Sequence, residues 1–411
     1  MEMKRIITYE NKMVAICMLC FGFAMFDRFA IANLSPFMME ELNMTNTDLG
    51  LVMSVFALAW AISGYVGSLL SDITANKKLL LGLLTLLSSV CAFSTGLAIN
   101  FIMLLGIRFM MGVLYGPTFP LSQAFAMAQS TPSRRGLNMG LISTTSMGII
   151  ANLIAPILLV ALCLQFGWRI TFFLTFIPGV IVAYLIFKVL KEPDMAKGGD
   201  EATSNKASFR ESLVIFKNTN VLTSMVFSGL IMTWNVGILT FAPLYLVVVK
   251  GFDPSVMSFV LAAFGVGAVV WGIVVPSLSD RFGRKRATII FSLLSVISPL
   301  GLLIFSSPVA IGLCAFVGWS GSGVFALYQA AIIGESVDKK YVSTAIASVQ
   351  MAGEIVGCVI GVAIAGKLAD SFGLQAPMIF AAVCIIMATL VAFAYYETAP
   401  AVLAKRNAFA E

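Results

Sequence analysis

An aspartate and an arginine stand side by side at positions 27 and 28, with almost wholly apolar residues before and after them. An ionised side chain in mid-bilayer costs roughly 2.5–3.5 kcal/mol on insertion scales. A chain that keeps two such groups there points to a polar cavity or pathway. Two more charged residues fall deep in apolar runs, Arg108 and Glu354, and the four formal charges sum to zero. Arginine suits recognition of a carboxylate, because its guanidinium stays charged and offers a planar fork for two parallel hydrogen bonds. Asp27 suits proton coupling, since burial opposes its ionisation and a nearby cation favours it. A substrate anion that took over an arginine would release Asp27 to protonate, linking two binding events without covalent chemistry. As sequence neighbours, Asp27 and Arg28 point about 100° apart on a helix, so each looks to another helix.

Weaker candidates surround these. Tyr115 lies seven residues after Arg108, on the same helix face, and Gln123 follows about two turns beyond. Tyr115 can donate one hydrogen bond but does not cycle a proton at neutral pH. In the second half of the chain, Asn235, Tyr328 and Gln329 are the best of several polar groups on apolar helices, where interhelical bonds are the commoner role than ligand contacts. Glu354 sits among Gly353, Gly357 and Gly361, a four-residue row that suits close helix packing. Glu354 either pairs with a basic group or is a second protonatable site. Histidine is absent, which removes histidine catalysis, haem ligation by histidine and H-E-x-x-H zinc sites. The seven cysteines all lie in apolar runs and read as small buried hydrophobes. No metal or cofactor is expected.

The elements that must position these residues are membrane helices. Of 411 residues, 59% are hydrophobic and 11% charged, against about 25% charged in soluble domains. Apolar runs of about 20 residues recur along the chain, each long enough to cross a bilayer. The fold class is all-α, with twelve transmembrane helices near 13–39, 47–71, 79–97, 101–127, 138–164, 168–190, 221–249, 256–279, 287–306, 308–333, 342–369 and 375–397. A polar stretch between the sixth and seventh divides the chain into bundles at 1–192 and 220–411, joined by a linker at 193–219 with a possible amphipathic helix over 208–217. Of the 26 Lys and Arg residues, 21 fall in the termini, the linker and the loops after spans 2, 4, 8 and 10. The positive-inside rule then puts both termini in the cytoplasm. The N-terminus lacks a small-residue cleavage site, so no signal peptide is expected. The net charge of +6 sits in short loops and is no nucleic-acid signal.

The two halves echo each other. SLLSDITANKK (68–78) follows span 2 and PSLSDRFGRKR (276–286) follows span 8. Internal repeats are a common way for transporters to build a site. The second copy resembles the G-x-x-x-D-R-x-G-R-K-R loop of the major facilitator superfamily, with Pro276 in place of glycine. RFMMGVLYGP (108–117), FGWRITFF (166–173) and KEPD (191–194) are similar to other signatures of that family. The first half resembles its anion:cation symporters, which include hexuronate, galactonate, glucarate, sialic acid and vesicular glutamate carriers. Asp27-Arg28 matches the first-span D-R pattern, and Arg108, Gly112, Pro117, Phe119 and Pro120 match the fourth-span pattern. Tyr115 stands where that pattern has an acid, commonly a proton carrier. The resemblance implies a cavity lined by spans 1, 4, 7 and 10, which makes Arg108 a partner for Asp27, or else one half of an ion pair that merely locks two helices. It also implies a conformational gate at Asp72, Asp280, Arg281 and Arg284.

The expected function is proton-coupled symport of a small organic anion, such as a sugar acid, by alternating access in a monomer of the cell's inner (cytoplasmic) membrane. Arg28, Arg108, Tyr115, Gln123, Asn235, Tyr328 and Gln329 are the expected substrate contacts, and Asp27 and Glu354 the proton carriers. The alternatives are an antiporter of drugs or amphipathic solutes, and a uniporter of a neutral solute. Membrane hydrolysis is not expected, because no acid–nucleophile constellation is present.

Overall fold

The computed structural model describes residues 8–73, 76–131, 134–192, 213–338, 341–400 and 402–403, with the side chains of 68–73, 213–214 and 343 left aside. Among these residues, eleven helices are long and apolar enough to cross a membrane. One of them, Arg135–Val189, runs for 55 residues, or about 80 Å at 1.5 Å per residue, far more than one crossing needs. It breaks at Gly167, where φ is 81° and ψ 163°, a backbone conformation that only glycine takes without strain. The chain reverses there, and twelve crossings result. They are α1 (Tyr9–Met38), α2 (Asn46–Gly67), α3 (Lys77–Thr95), α4 (Phe101–Gln129), α5 (135–166), α6 (168–189), α7 (Thr219–Val248), α8 (Pro254–Phe282), α9 (Arg284–Ile304), α10 (Pro308–Ser336), α11 (Thr344–Phe372) and α12 (Gln375–Ala392). The same corner recurs between α11 and α12, where Gly373 has φ 84° and ψ 167°. Residues 193–212 of the expected linker lie outside the described residues, and Leu213–Lys217 forms a 3-10 turn.

The helices divide into two compact units, Met1–Glu201 and Ala202–Glu411. In the first unit, Gly112 and Gly116 seat α4 directly on α2. A Cβ at Gly112 would lie 2.5 Å from the Phe56 carbonyl oxygen and 3.1 Å from the Trp60 amide nitrogen. Ser63 Oγ donates to the Gly112 carbonyl at 3.0 Å across this seam. In the second unit, Gly353, Gly357 and Gly361 lay α11 against Ser228, Met232 and Thr233 of α7 in the same way. The glycine row therefore packs helices, and Glu354 projects beside it.

Each unit is tied at the end where its first helix begins. In the first, Tyr9 OH donates to Gln129 Oε1 at 2.8 Å and accepts from the Lys191 amide at 2.9 Å. Glu10 accepts from Asn138 Nδ2 at 2.8 Å and from the Thr131 amide at 3.2 Å. The Glu192 carboxylate caps α3, accepting from the amides of Lys77 at 2.6 Å and Lys78 at 3.0 Å. The second unit repeats the device. Asn220 bonds Ser336 Oγ at 2.8 Å and the Tyr396 amide at 2.9 Å, while Glu397 caps α9 through the amides of Arg284 at 2.7 Å and Lys285 at 3.3 Å. The first turn of a helix leaves amides unpaired, and a carboxylate satisfies both them and the helix dipole. At the opposite end of the first unit, Glu41 accepts from Trp168 Nε1 at 2.6 Å and pairs with Arg169 at 2.8 Å. Arg169 also donates to the carbonyls of Gly96 and Ala98.

Candidate functional site

Helix α1 is buried along most of its length, and Asp27 and Arg28 lie mid-helix with 5% of their surface exposed. Helix α4 presents Arg108 and Tyr115 to it from one face, two turns apart. The Tyr115 hydroxyl donates to Asp27 Oδ2. Arg108 Nη1 donates to the backbone carbonyl of Asp27 at 2.8 Å. Asp27 is thus clamped between two groups of α4, but its carboxylate is met by the phenol and its peptide by the guanidinium. The expected contact between Arg108 and Asp27 exists in that altered form. Geometry explains it: the two α4 groups are about 10 Å apart along the axis, so one bulky side chain reaches the carboxylate and the other the main chain one side of it.

This leaves a distinctive edge. Arg108 is 1% exposed, and its Nε and Nη2 have no hydrogen-bond partner among the described residues. Those two nitrogens form the side of the guanidinium that grips a carboxylate with two parallel bonds. A buried donor without an acceptor costs about 1–3 kcal/mol, so this edge is energetically poised for an anion. Arg28 lies within a cage of rings. Its guanidinium carbon is 5.5 Å from the Phe56 ring centre, 5.8 Å from Phe29 and 5.9 Å from Trp60. Quadrupoles of ring faces attract a cation at such distances.

The other expected contacts are distributed differently. Gln123 is half-buried and its Nε2 reaches the Met139 carbonyl of α5 at 3.4 Å, a helix-to-helix bond. Asn235 is buried in α7 beside Trp234, whose indole donates to Ser298 Oγ at 3.2 Å. Tyr328 is fully buried, with its ring against Phe227 and Phe325, and accepts from Gln329 Nε2 at 3.3 Å. Both lie in a wide-turn segment of α10, Leu327–Ala331. Glu354 is 8% exposed and is the second residue of another wide-turn segment, Gly353–Gly361 in α11. Such segments occur often at functional positions.

Of the expected gate residues, the side chain of Asp72 lies outside the described residues. Asp280 pairs with Arg284 at 2.6 Å within one turn, and Arg284 pairs on with Glu335 at 3.0 Å. Arg281 is exposed. Thr398 Oγ1 donates to Glu335 at 2.7 Å, which joins this cluster to the Glu397 cap. Sequence reasoning missed Glu41, Glu192, Glu335 and Glu397. A signal for two of them was present: an acid followed closely by proline ends each half, as KEP at 191–193 and ETAP at 397–400.

A family model described as Major Facilitator Superfamily matches residues 17–358 and 251–411. The hexuronate transporter of Bacillus subtilis (strain 168) is 27% identical over 374 residues, covering 84% of this chain and 85% of that protein. The probable galactarate/D-glucarate transporter of Escherichia coli (strain K12) is 22% identical over 401 residues, covering 89% and 88%. Among solved structures, a bacterial homolog of the human lysosomal transporter Spinster, inward-facing and unoccupied, matches with a TM-score of 0.78 at 16% identity over 94% of this chain and 97% of that one. At that identity the likeness is one of fold.

Proposed function

Because the chain belongs to the Major Facilitator Superfamily of membrane transporters, we propose that it carries a small organic anion across the bacterial inner membrane by symport with a proton. The observation that carries this reading is the unpaired Nε–Nη2 edge of the buried Arg108 beside the clamped carboxylate of Asp27. A substrate carboxylate fits the edge with two charge-assisted bonds. Its negative charge then favours protonation of Asp27, as like charges close together do not both stay ionised. Arg28 and its ring cage add positive potential. The names of the hexuronate and galactarate/D-glucarate relatives lend support to an organic acid as the class of substrate. Tyr115, Gln123, Asn235, Tyr328 and Gln329 are secondary candidates for substrate contact, and Asp280, Arg281 and Arg284, with Asp72, for the gate.

The test is a thermal-shift screen of the purified protein against organic acids and neutral sugars. A ligand at 100-fold its Kd adds about 2.7 kcal/mol of stability. Stabilisation by one or more acids, and by no neutral sugar, is the expected result. Stabilisation by neutral sugars alone would replace the anion reading with a neutral-solute carrier.

A further inference from the structure

Resting on the anion–proton reading, with Asp27 as its proton carrier, we infer that Ser88 of α3 is a positioning residue for that carrier. It is the turning point of a buried hydrogen-bond chain, Thr85–Ser88–Tyr115–Asp27, that runs one way when Asp27 is ionised and the other way when it is protonated. The chain lies wholly in the first unit. The sequence pointed away from α3, because the resemblance lines the cavity with spans 1, 4, 7 and 10.

Tyr115 spends its one hydrogen on Asp27 Oδ2, and its oxygen keeps lone pairs for accepting. Ser88 reaches that oxygen from α3, which packs on α4. Ser88 is fully buried, and its Oγ also lies 3.0 Å from the Thr85 carbonyl of its own helix. That carbonyl is crowded. Ser89 Oγ donates to it at 2.7 Å, and the helix ladder brings the Ser89 amide as well. Its two lone pairs are thus claimed without Ser88, and the Ser88 hydrogen can turn between the Thr85 carbonyl and the Tyr115 oxygen. The frame around it is fixed. Thr85 Oγ1 donates to the Leu81 carbonyl at 2.7 Å, which spends its hydrogen, so the Cys20 thiol is the donor across the 3.3 Å between Sγ and Oγ1. Cys20 lies two turns before Asp27 on the same face of α1, and this bond holds that face on α3.

With Asp27 ionised, the hydrogens point towards it. Ser88 donates to Tyr115 and Tyr115 to Oδ2, each bond polarising the next. A proton arriving on Oδ2 reverses the chain. The carboxyl hydrogen is donated to the Tyr115 oxygen, the Tyr115 hydrogen swings to Ser88 Oγ, and the Ser88 hydrogen goes to the Thr85 carbonyl. The new O–H on Asp27 is the one covalent bond formed, and every hydroxyl has an acceptor in both states. Without Ser88 the ionised state keeps its Tyr115 bond, while the protonated state strands one buried hydrogen, which weighs against protonation. Few other charges bear on Asp27 within the first unit. Arg108 comes from α4, and Arg28 is adjacent in α1. Helices α2, α3, α5 and α6 carry charge at their ends alone, as Asp48, Lys77, Lys78, Arg135, Arg169 and Lys188. Their other titratable side chains are Tyr65, Cys91, Cys163 and Tyr184, and α1 adds Cys17 and Cys20.

The experiment uses the full chain in proteoliposomes and reads the initial rate of labelled D-glucuronate uptake against outside pH. Wild type is compared with Ser88→Ala, Ser88→Thr, Tyr115→Phe and the double variant of Ser88→Ala with Tyr115→Phe. Ser88→Ala should move the pH midpoint of uptake down by about one to two units, the worth of one stranded buried hydrogen. Ser88→Thr restores the hydroxyl and should return the wild-type midpoint. Tyr115→Phe cuts the chain, so adding Ser88→Ala to it should move the midpoint no further, whereas a merely structural role would act alike in both backgrounds. An unshifted midpoint in Ser88→Ala would place the proton on Oδ1 with Tyr115 unmoved. A further shift on top of Tyr115→Phe would show Ser88 acting elsewhere. Either result overturns the inference and leaves anion symport standing. If wild-type uptake of the acid does not rise as outside pH falls, the anion–proton reading falls and this inference with it.

Discussion

Arg108→Lys is the most informative single change. Lysine keeps the positive charge and can still reach the Asp27 carbonyl that Nη1 now meets at 2.8 Å. It cannot hold that carbonyl and also offer two parallel donors, because the ammonium is a point charge on a flexible stem. The folded protein therefore loses little, while the substrate complex loses at least one charge-assisted hydrogen bond. Such a bond is worth about 1.5–3 kcal/mol. At 1.4 kcal/mol per factor of ten, Kd for an organic acid should rise about 10- to 150-fold. The assay is titration calorimetry of wild type and variant with D-glucuronate, alongside thermal unfolding and size-exclusion profiles of both. A variant that unfolds near the wild-type temperature and binds within about threefold of wild type, well short of the loss of one such bond, would refute the assignment of the Nε–Nη2 edge as the carboxylate grip. The substrate would then have to be sought at Arg28 and its rings.

Three further outcomes follow from the geometry. Tyr115→Phe removes the donor to Asp27 Oδ2 and should cost about 1.5–3 kcal/mol, read as a lower unfolding temperature in detergent; an unchanged temperature would mean that the hydroxyl contributes nothing there. Glu397→Ala uncaps α9 at the amides of Arg284 and Lys285 and should cost about 0.5–2 kcal/mol, with a similar loss for Glu192→Ala at α3. The Trp168 indole N–H, and after it the Arg169 guanidinium, hold the Glu41 carboxyl below the usual carboxylate range. That latch contributes in full above the ordinary carboxylate pKa and is lost as pH falls through the lower folded value, so Glu41→Gln should flatten the acid limb of the stability profile.

The fold was largely legible because membrane helices announce themselves by length and apolarity, and because charge in such helices is scarce enough to count. Asp27, Arg28, Arg108 and Glu354 were found that way, and all four are buried. What sequence could not supply is the rotation and depth of one helix against another. That is why the sequence did not show that the Tyr115 hydroxyl meets the Asp27 carboxylate, or that Arg108 meets the peptide carbonyl of Asp27 and not its carboxylate. Gln123 shows the same limit: its helix face points it at α5. The glycine rows at 112–116 and 353–361 were readable as packing faces, but their partners on α2 and α7 were not. The capping acids escaped notice because a carboxylate at the end of one span serves the start of another more than 100 residues away.

The ties at the ends of each unit also bear on biosynthesis. Tyr9 finds its partner at Lys191, and Asn220 finds its own at Tyr396. In both units a bond joins the start of the first helix to the residues just after the last. During synthesis, neither bond can form until the ribosome has delivered a whole unit, so each unit is left unfastened for nearly the entire time it takes to make. A chain cut before Tyr396 and Glu397 has all twelve crossings and still lacks both the final clasp and the cap of α9. Such a chain leaves the Arg284 and Lys285 amides at the start of α9 uncapped and the start of α7 unfastened.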